Sequence, residues 1–167
     1  FFLNNYKDLE DRIEKLNERE EPFLLLGVSF ALLDLAERGG LDLSGAVVIE
    51  TGGMKGRRKE LIREELHEIL CHAFNTNVIH SEYGMTELMS QAYSKGQGKF
   101  QCPPWMKVMI RDPYYPLSNK EQGRGALNII DLANKYSCAF IATDDLGSLE
   151  GDSFEVLGRL DASDIRG

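Results

Sequence analysis

The sequence has no apolar run near the roughly eighteen residues that cross a membrane. Its longest apolar stretches, around Phe23 to Leu26 and Ala46 to Ile49, are strand-sized, so no membrane span and a soluble protein are expected. Cysteine is scarce: Cys71, Cys102 and Cys138 lie far apart with no CxxC pair, which argues against a disulfide framework or a zinc site and fits a reducing cytoplasm. Positive charge is also in short supply. The formal net charge of −8 argues against a nucleic-acid partner, whose phosphates would need Lys and Arg to neutralise them. The one basic cluster, Lys55, Arg57, Arg58 and Lys59, is followed by Glu60, Glu64 and Glu65 and reads as a solvated helix face. The opening residues FFLNNYKDLEDRIEKL lack an initiating Met, a basic n-region and a cleavage site, so they read as a cut inside a longer chain and not as a signal peptide. There is no internal repeat and no low-complexity linker.

What is present is the composition of a soluble globular protein, 43% hydrophobic and 28% charged over 167 residues. Tyr6 to Glu21 has helical periodicity, and Pro22 precedes a short strand, Phe23 to Val28. Ser29 can cap a helix from Phe30 to Arg38 that stops at Gly39-Gly40. A buried strand Ala46 to Glu50, a long helix from about Arg57 to Phe74, a third strand Asn77 to His80 and a helix starting near Met85 follow. Apolar strands alternating with helices predict an α/β fold with a mainly parallel sheet covered on both faces. After about Ser94 the pattern turns β-rich, with strands at Trp105 to Ile110, Gly125 to Asp131, Phe140 to Thr143 and Phe154 to Leu160. Two portions are expected, residues 1–95 and 96–167.

In open parallel sheets ligands bind beyond the carboxyl ends of the strands. Thr51-Gly52-Gly53-Met54 follows one such strand, and paired glycines let a flat ligand lie against the backbone, or simply make a tight connection. Ser81-Glu82-Tyr83-Gly84-Met85-Thr86-Glu87 sets an aromatic ring, a hydroxyl and a carboxylate at an expected helix start, which suits phosphate and Mg²⁺; a capping box with Tyr83 as core filler has the same pattern. Thr143-Asp144-Asp145 ends an apolar strand with carboxylates able to accept ribose hydroxyls, or forms an acidic turn. Gly158-Arg159-Leu160-Asp161 offers an Arg to a sugar or phosphate, or a surface ion pair. His67 with Cys71 at helical spacing is a weaker candidate whose ordinary placement in core or surface is favoured, and Cys138, a candidate nucleophile, is expected instead to be a buried structural cysteine.

Taken in order, these segments resemble the adenylate-forming superfamily of acyl-CoA synthetases, peptide-synthetase adenylation domains and luciferases. Tyr83, Gly84, Thr86 and Glu87 match its Tyr-Gly-x-Thr-Glu motif, and Thr143, Asp144 and Asp145 its Thr-Gly-Asp motif with Asp144 in place of Gly. Gly158, Arg159 and Asp161 approach its hinge motif, and Gly52-Gly53-Met54 stand where its adenine-side loop belongs. The wording SEYGMTEL and GRLDASDIRG is most similar to the acyl-protein synthetase branch of bacterial luminescence fatty-acid reduction, with the phenylacetate-CoA ligase branch as the alternative. The resemblance implies a fragment of the large N-terminal domain of an ATP- and Mg²⁺-dependent ligase. Such a ligase activates a carboxylic acid, here expected to be fatty, to an acyl-adenylate and passes it to a protein or coenzyme A thiol.

Carried over from the resemblance, Thr86 would hold the α-phosphate, Glu87 would bind Mg²⁺, Tyr83 with Gly52, Gly53 and Met54 would flank adenine, and Gly84 would be a further nucleotide-binding residue. Asp145 and Arg159 would hold the ribose, and Asp161 would sit at the hinge. No Ser/Thr/Gly-rich loop ending in Lys and no C-terminal lid domain are recognisable in the sequence. A non-catalytic adenylate-binding module is therefore the competing expectation.

Overall fold

The computed structural model describes residues 1–160 apart from 4, 55, 56, 60 and 116. Asp161, the expected hinge residue, lies outside the described residues. The chain divides into two compact units after Ser81, earlier than the change of pattern near residue 95.

The first unit holds α1 (Tyr6–Glu18), β1 (Phe23–Val28), α2 (Ser29–Arg38), β2 (Ala46–Thr51) and α3 (Arg63–Ala73). Asn5 caps α1 by accepting from the Asp8 amide, and Gly39 at φ 69° ends α2 in a conformation that glycine adopts without strain. Strands β1 and β2 pair in parallel from Phe23↔Ala46 to Val28↔Thr51. The three helices contribute to one core cluster: Ile13 from α1, Leu32, Leu33 and Leu35 from α2, and Leu66 and Leu70 from α3 close around Val48 and Phe74. The expectation of a sheet covered on both faces does not hold within this unit. Leu24, Leu26 and Val47 are 57%, 50% and 44% exposed, because all three helices build a single cluster.

Two further expectations change here. Ser29 is the first residue of α2, not a side-chain cap, since its hydroxyl is engaged elsewhere. The third helix begins at Arg63, six residues later than periodicity implies. Arg58 is instead drawn to α2, donating from Nε to Asp34 at 3.0 Å and from Nη2 to Glu37 at 2.7 Å, so this arginine of the basic cluster joins an ion-pair network.

Strand β3 (His80–Tyr83) carries the chain onward, three residues later than read from the sequence, with Ser81 and Tyr83 buried and alternate residues partly exposed. The second unit contains β4 (Ala92–Ser94), β5 (Phe100–Gln101), β6 (Met106–Arg111), β7 (Asn119–Lys120), β8 (Gly123–Asp131), β9 (Phe140–Glu150) and β10 (Ser153–Arg159). Their pairings are antiparallel: β4 with β5, β5 with β10, β10 with β9, β9 with β8, β8 with β6, and β6 with β7. Its core gathers Phe100, Phe154, Val108, Ile110, Leu127 and Ile129 with the Tyr83 ring. The expected helix near Met85 is absent; residues 84–91 form a turn and loop, so β pairing begins early and moves the boundary forward. Close strand approach is marked at Gly147, where a Cβ would fall 2.5 Å from the Glu155 carbonyl oxygen and 2.5 Å from Leu127.

Candidate functional site

In the first unit, β2 ends in a buried carboxylate that organises the glycine loop after it. Glu50 is 4% exposed, and the Ser29 hydroxyl lies 2.9 Å from Glu50 Oε2 and 3.1 Å from the Gly52 carbonyl oxygen. Arg63 Nε and His67 Nε2 each approach Glu50 Oε1 to 3.6 Å, and Ser81 Oγ meets His67 Nε2 at 3.2 Å. Burial alone would raise the Glu50 carboxyl, but the polar contacts of His67, Ser81 and Ser29 and the charge of Arg63 outweigh it and hold it below the usual range. His67 thus serves a carboxylate network and not a metal pair with Cys71.

Gly52 then takes φ 68°, a left-handed conformation that favours glycine. A Cβ built on Gly53 would meet nothing within 4 Å, so its backbone borders open space in which a flat ligand can rest. The Met54 side chain, 2% exposed, belongs to the core and leaves only its backbone for a ligand.

In the second unit, Thr143, Asp144 and Asp145 do not end a strand but lie within β9. Opposite them β8 pairs Ala126 with Leu146 and Asn128 with Ala142, so three residues of β9 face Leu127 alone. Such a bulge re-aims side chains without ending the pairing. It is stitched by Thr143 Oγ1 donating to the Leu127 carbonyl at 2.8 Å, Asp145 N donating to Thr143 Oγ1 at 3.1 Å, and Arg111 Nη2 donating to the Thr143 carbonyl at 2.7 Å. Asp144 needs no left-handed backbone: among the described residues, positive φ outside glycine occurs only at Glu20, Asn75 and Gln97. The Gly-to-Asp departure is therefore accommodated without strain.

Across the ladder Asp145 pairs with Arg159 of β10. Arg159 Nη1 stands 3.6 Å from Asp145 Oδ1 and Nη2 3.7 Å from Asp144 Oδ2. Tyr83 donates its hydroxyl to Asp145 Oδ2 at 2.7 Å, while its ring meets Phe100 and Phe154 edge-on. Burial, followed by the negative charge and hydrogen bond of Asp145, raises the Tyr83 phenol far above its ordinary value, so it is a permanent donor. Tyr83 is thus both core filler and a hand on the carboxylate.

Thr86 and Glu87 are exposed on a tight turn closed by Leu88 N donating to the Met85 carbonyl at 3.0 Å, and Gly84 beside them is exposed too. Lacking a helix, this turn offers phosphate a hydroxyl and local amides and no helix terminus. Among the described residues no group of three or more His, Cys, Asp and Glu could hold a metal. A lone, hard carboxylate such as Glu87 fits Mg²⁺ of the kind that keeps most of its water and nucleotide phosphate ligands.

No protein-family model matches the chain. The long-chain-fatty-acid–luciferin-component ligase of Vibrio harveyi is 29% identical over 143 residues, covering 77% of this chain and 36% of that protein. ATP-bound MatB from Rhodopseudomonas palustris superposes with a TM-score of 0.65 at 18% identity, over 90% of this chain and 33% of that one. The chain has the adenylate-forming fold. O-succinylbenzoate coenzyme A synthetase from Bacillus subtilis, solved with ATP and magnesium, agrees at a TM-score of 0.60, with 19% identity over 90% of this chain and 34% of that one. The resemblance drawn from the Tyr83–Glu87 motif is borne out by these relatives, of whose length the chain spans about a third, 33% to 36% in the three cases.

The sequence reading missed Glu50 and Ser29 as loop-organising residues, and it missed Arg111 as the support of Thr143. A signal for Glu50 was present: one carboxylate closes the apolar run Ala46 to Ile49.

Proposed function

We propose that the chain supplies nucleotide-binding elements of an ATP-dependent ligase that converts a carboxylic acid to an acyl-adenylate. The observation that carries this reading is the Asp145 carboxylate, 15% exposed, re-aimed by a bulge and oriented by Tyr83 and Arg159. An ionised carboxylate of this kind can accept both hydroxyl hydrogens of a ribose, as two charge-assisted bonds. Gly52 and Gly53 give adenine a flat backbone to lie on, and Thr86 with its turn amides would hold the α-phosphate.

In the proposed reaction a carboxylate oxygen of the acid attacks the α-phosphorus, the bond to pyrophosphate breaks, and the acyl group is left on AMP. Two anions must approach, so positive charge and N–H donors are needed where charge builds up. Glu87 would hold the Mg²⁺ that neutralises phosphate oxygens there. A thiol then takes the acyl group and AMP leaves. The similarity to the luciferin-component ligase supports a long-chain fatty acid as the substrate and a protein or coenzyme thiol as the acceptor.

The test is ATP–pyrophosphate exchange by the whole protein across a panel of acids. Exchange that depends on a fatty acid and on Mg²⁺ is expected. No exchange with any acid on the panel sinks the reading.

A further inference from the structure

The Thr86–Glu87 turn has no helix to hold it, yet the residues just after it are among the most densely bonded of the second unit. Asp131, at the end of β8, is fully buried. Its Oδ2 accepts from the backbone amides of Met89 at 3.0 Å and Ser90 at 2.9 Å, and its Oδ1 from Ser90 Oγ at 2.7 Å and Ala133 N at 3.0 Å. Trp105 Nε1 donates to Ser90 Oγ at 2.8 Å from the other side. Asn134, 2% exposed, accepts from Met89 N at 3.0 Å and donates from Nδ2 to the carbonyl oxygens of Glu87 at 2.7 Å and Cys138 at 3.0 Å. Burial alone would raise the Asp131 carboxyl, but the bonds from Ser90, Ala133 and Met89 outweigh it and hold the group ionised well below its usual range.

A buried carboxylate with four donors and a buried amide bonded on both its ends make a stiff frame, because any loosening leaves a buried polar atom unpaired. That frame does not grip the turn at random. Its outermost contact is the Glu87 carbonyl, on the residue whose side chain is free to the solvent.

We propose that Asp131 and Asn134 are positioning residues for a metal site, clamping the backbone of Glu87, Met89 and Ser90 so that the Glu87 carboxylate is presented to the cation from a fixed base. The inference rests on the proposed reading of Glu87 and extends it to residues that touch neither nucleotide nor metal. Partners of this kind that orient a metal ligand typically change metal affinity about 10–100-fold when removed.

The test uses Asn134→Ala and Asn134→Asp, because Asp131 is so central that its variants risk not folding. Asn134→Asp keeps an acceptor for Met89 N but cannot donate to the Glu87 carbonyl, so it should fail to rescue. ATP affinity is measured by calorimetry with MgCl₂ and again in EDTA, alongside amide hydrogen exchange over residues 86–90. Both variants should lose about 10–100-fold in Mg²⁺-supported ATP affinity while affinity in EDTA is unchanged, with faster exchange confined to the turn. A role in stability alone would lower both affinities together or neither, and either result overturns the inference. Mg²⁺-supported affinity at the wild-type value in Asn134→Ala overturns it while leaving the functional reading intact. Wild-type protein whose ATP binding is indifferent to Mg²⁺ overturns the reading of Glu87 itself, and the inference with it.

Discussion

The Tyr83 hydroxyl donates to Asp145 Oδ2 at 2.7 Å while Arg159 stands 3.6 Å from Oδ1, so the carboxylate proposed to hold a ribose is oriented from both ends by the protein. Losing the carboxylate removes charge-assisted bonds worth roughly 1.5–3 kcal/mol each. Asp145→Ala should therefore weaken ATP binding by about ten- to a hundredfold, at ~1.4 kcal/mol per tenfold. The ribose does not change during the reaction, so KM for ATP rises more than kcat falls. Asp144, with a side chain 62% exposed, should tolerate Gly with ATP affinity near wild type. Affinity lost in Asp144→Gly and kept in Asp145→Ala would assign the ribose to the wrong aspartate.

Tyr83→Phe tests the same pair from the other side. It keeps the ring contacts with Phe100 and Phe154 and deletes one hydrogen bond to a charged, mostly buried carboxylate. Stability should fall by about 1.5–3 kcal/mol in urea unfolding. An unchanged unfolding midpoint would mean the Tyr83–Asp145 bond contributes nothing.

Gly53→Ala separates ligand contact from structure. Nothing stands within 4 Å of a Cβ at Gly53, so unfolding should stay within about 0.5 kcal/mol of wild type. If adenine lies on that backbone, the methyl group displaces it and ATP affinity falls. Equal affinity in Gly53→Ala and wild type would place adenine elsewhere. Gly147→Ala should do the reverse: a Cβ 2.5 Å from the fixed Glu155 carbonyl forces the strands apart, costing about 1–3 kcal/mol of stability. Gly45→Ala, with open space around it, is the neutral control.

The fold was legible where one pattern had one cause. Strand β1 and the apolar start of β2 were read almost to the residue, because continuous apolar runs that follow Pro22 and Gly45 admit little else. The helix expected at Met85 failed because the Ser81–Glu87 segment has the polar make-up of a helix start, while the backbone beyond it is held by Asp131 and Asn134, some 40 residues away in sequence (41 from Ser90 to Asp131). Thr143–Asp145 was read as a strand end because two carboxylates normally mark a turn; pairing on both sides by β8 and β10 keeps them in the sheet as a bulge. The candidate residues of the motifs were legible, but their supports were not. Glu50 and Asp131 each close an apolar run, Ala46 to Ile49 and Ile129 to Ile130, and only three-dimensional packing reveals that such terminal carboxylates are buried.

Those two carboxylates set an acid limb of stability. Both are held below their ordinary values in the folded protein, so the unfolded chain takes up protons first. Their contribution is fully present above the unfolded carboxylate values of about 4 and is lost as pH falls through the lower folded values. Urea midpoints should fall below about pH 4, and Glu50→Gln should flatten that decline relative to wild type. A variant with the same pH slope as wild type would show that Glu50 does not contribute to the acid limb.

Attack of an acid's carboxylate on the α-phosphorus of ATP can be followed with an acid carrying oxygen-18 in both carboxyl oxygens. When a thiol takes the acyl group, the bridging oxygen stays on phosphorus. AMP should contain one labelled oxygen and pyrophosphate none. Unlabelled AMP, or label in inorganic phosphate, would contradict attack at the α-phosphorus.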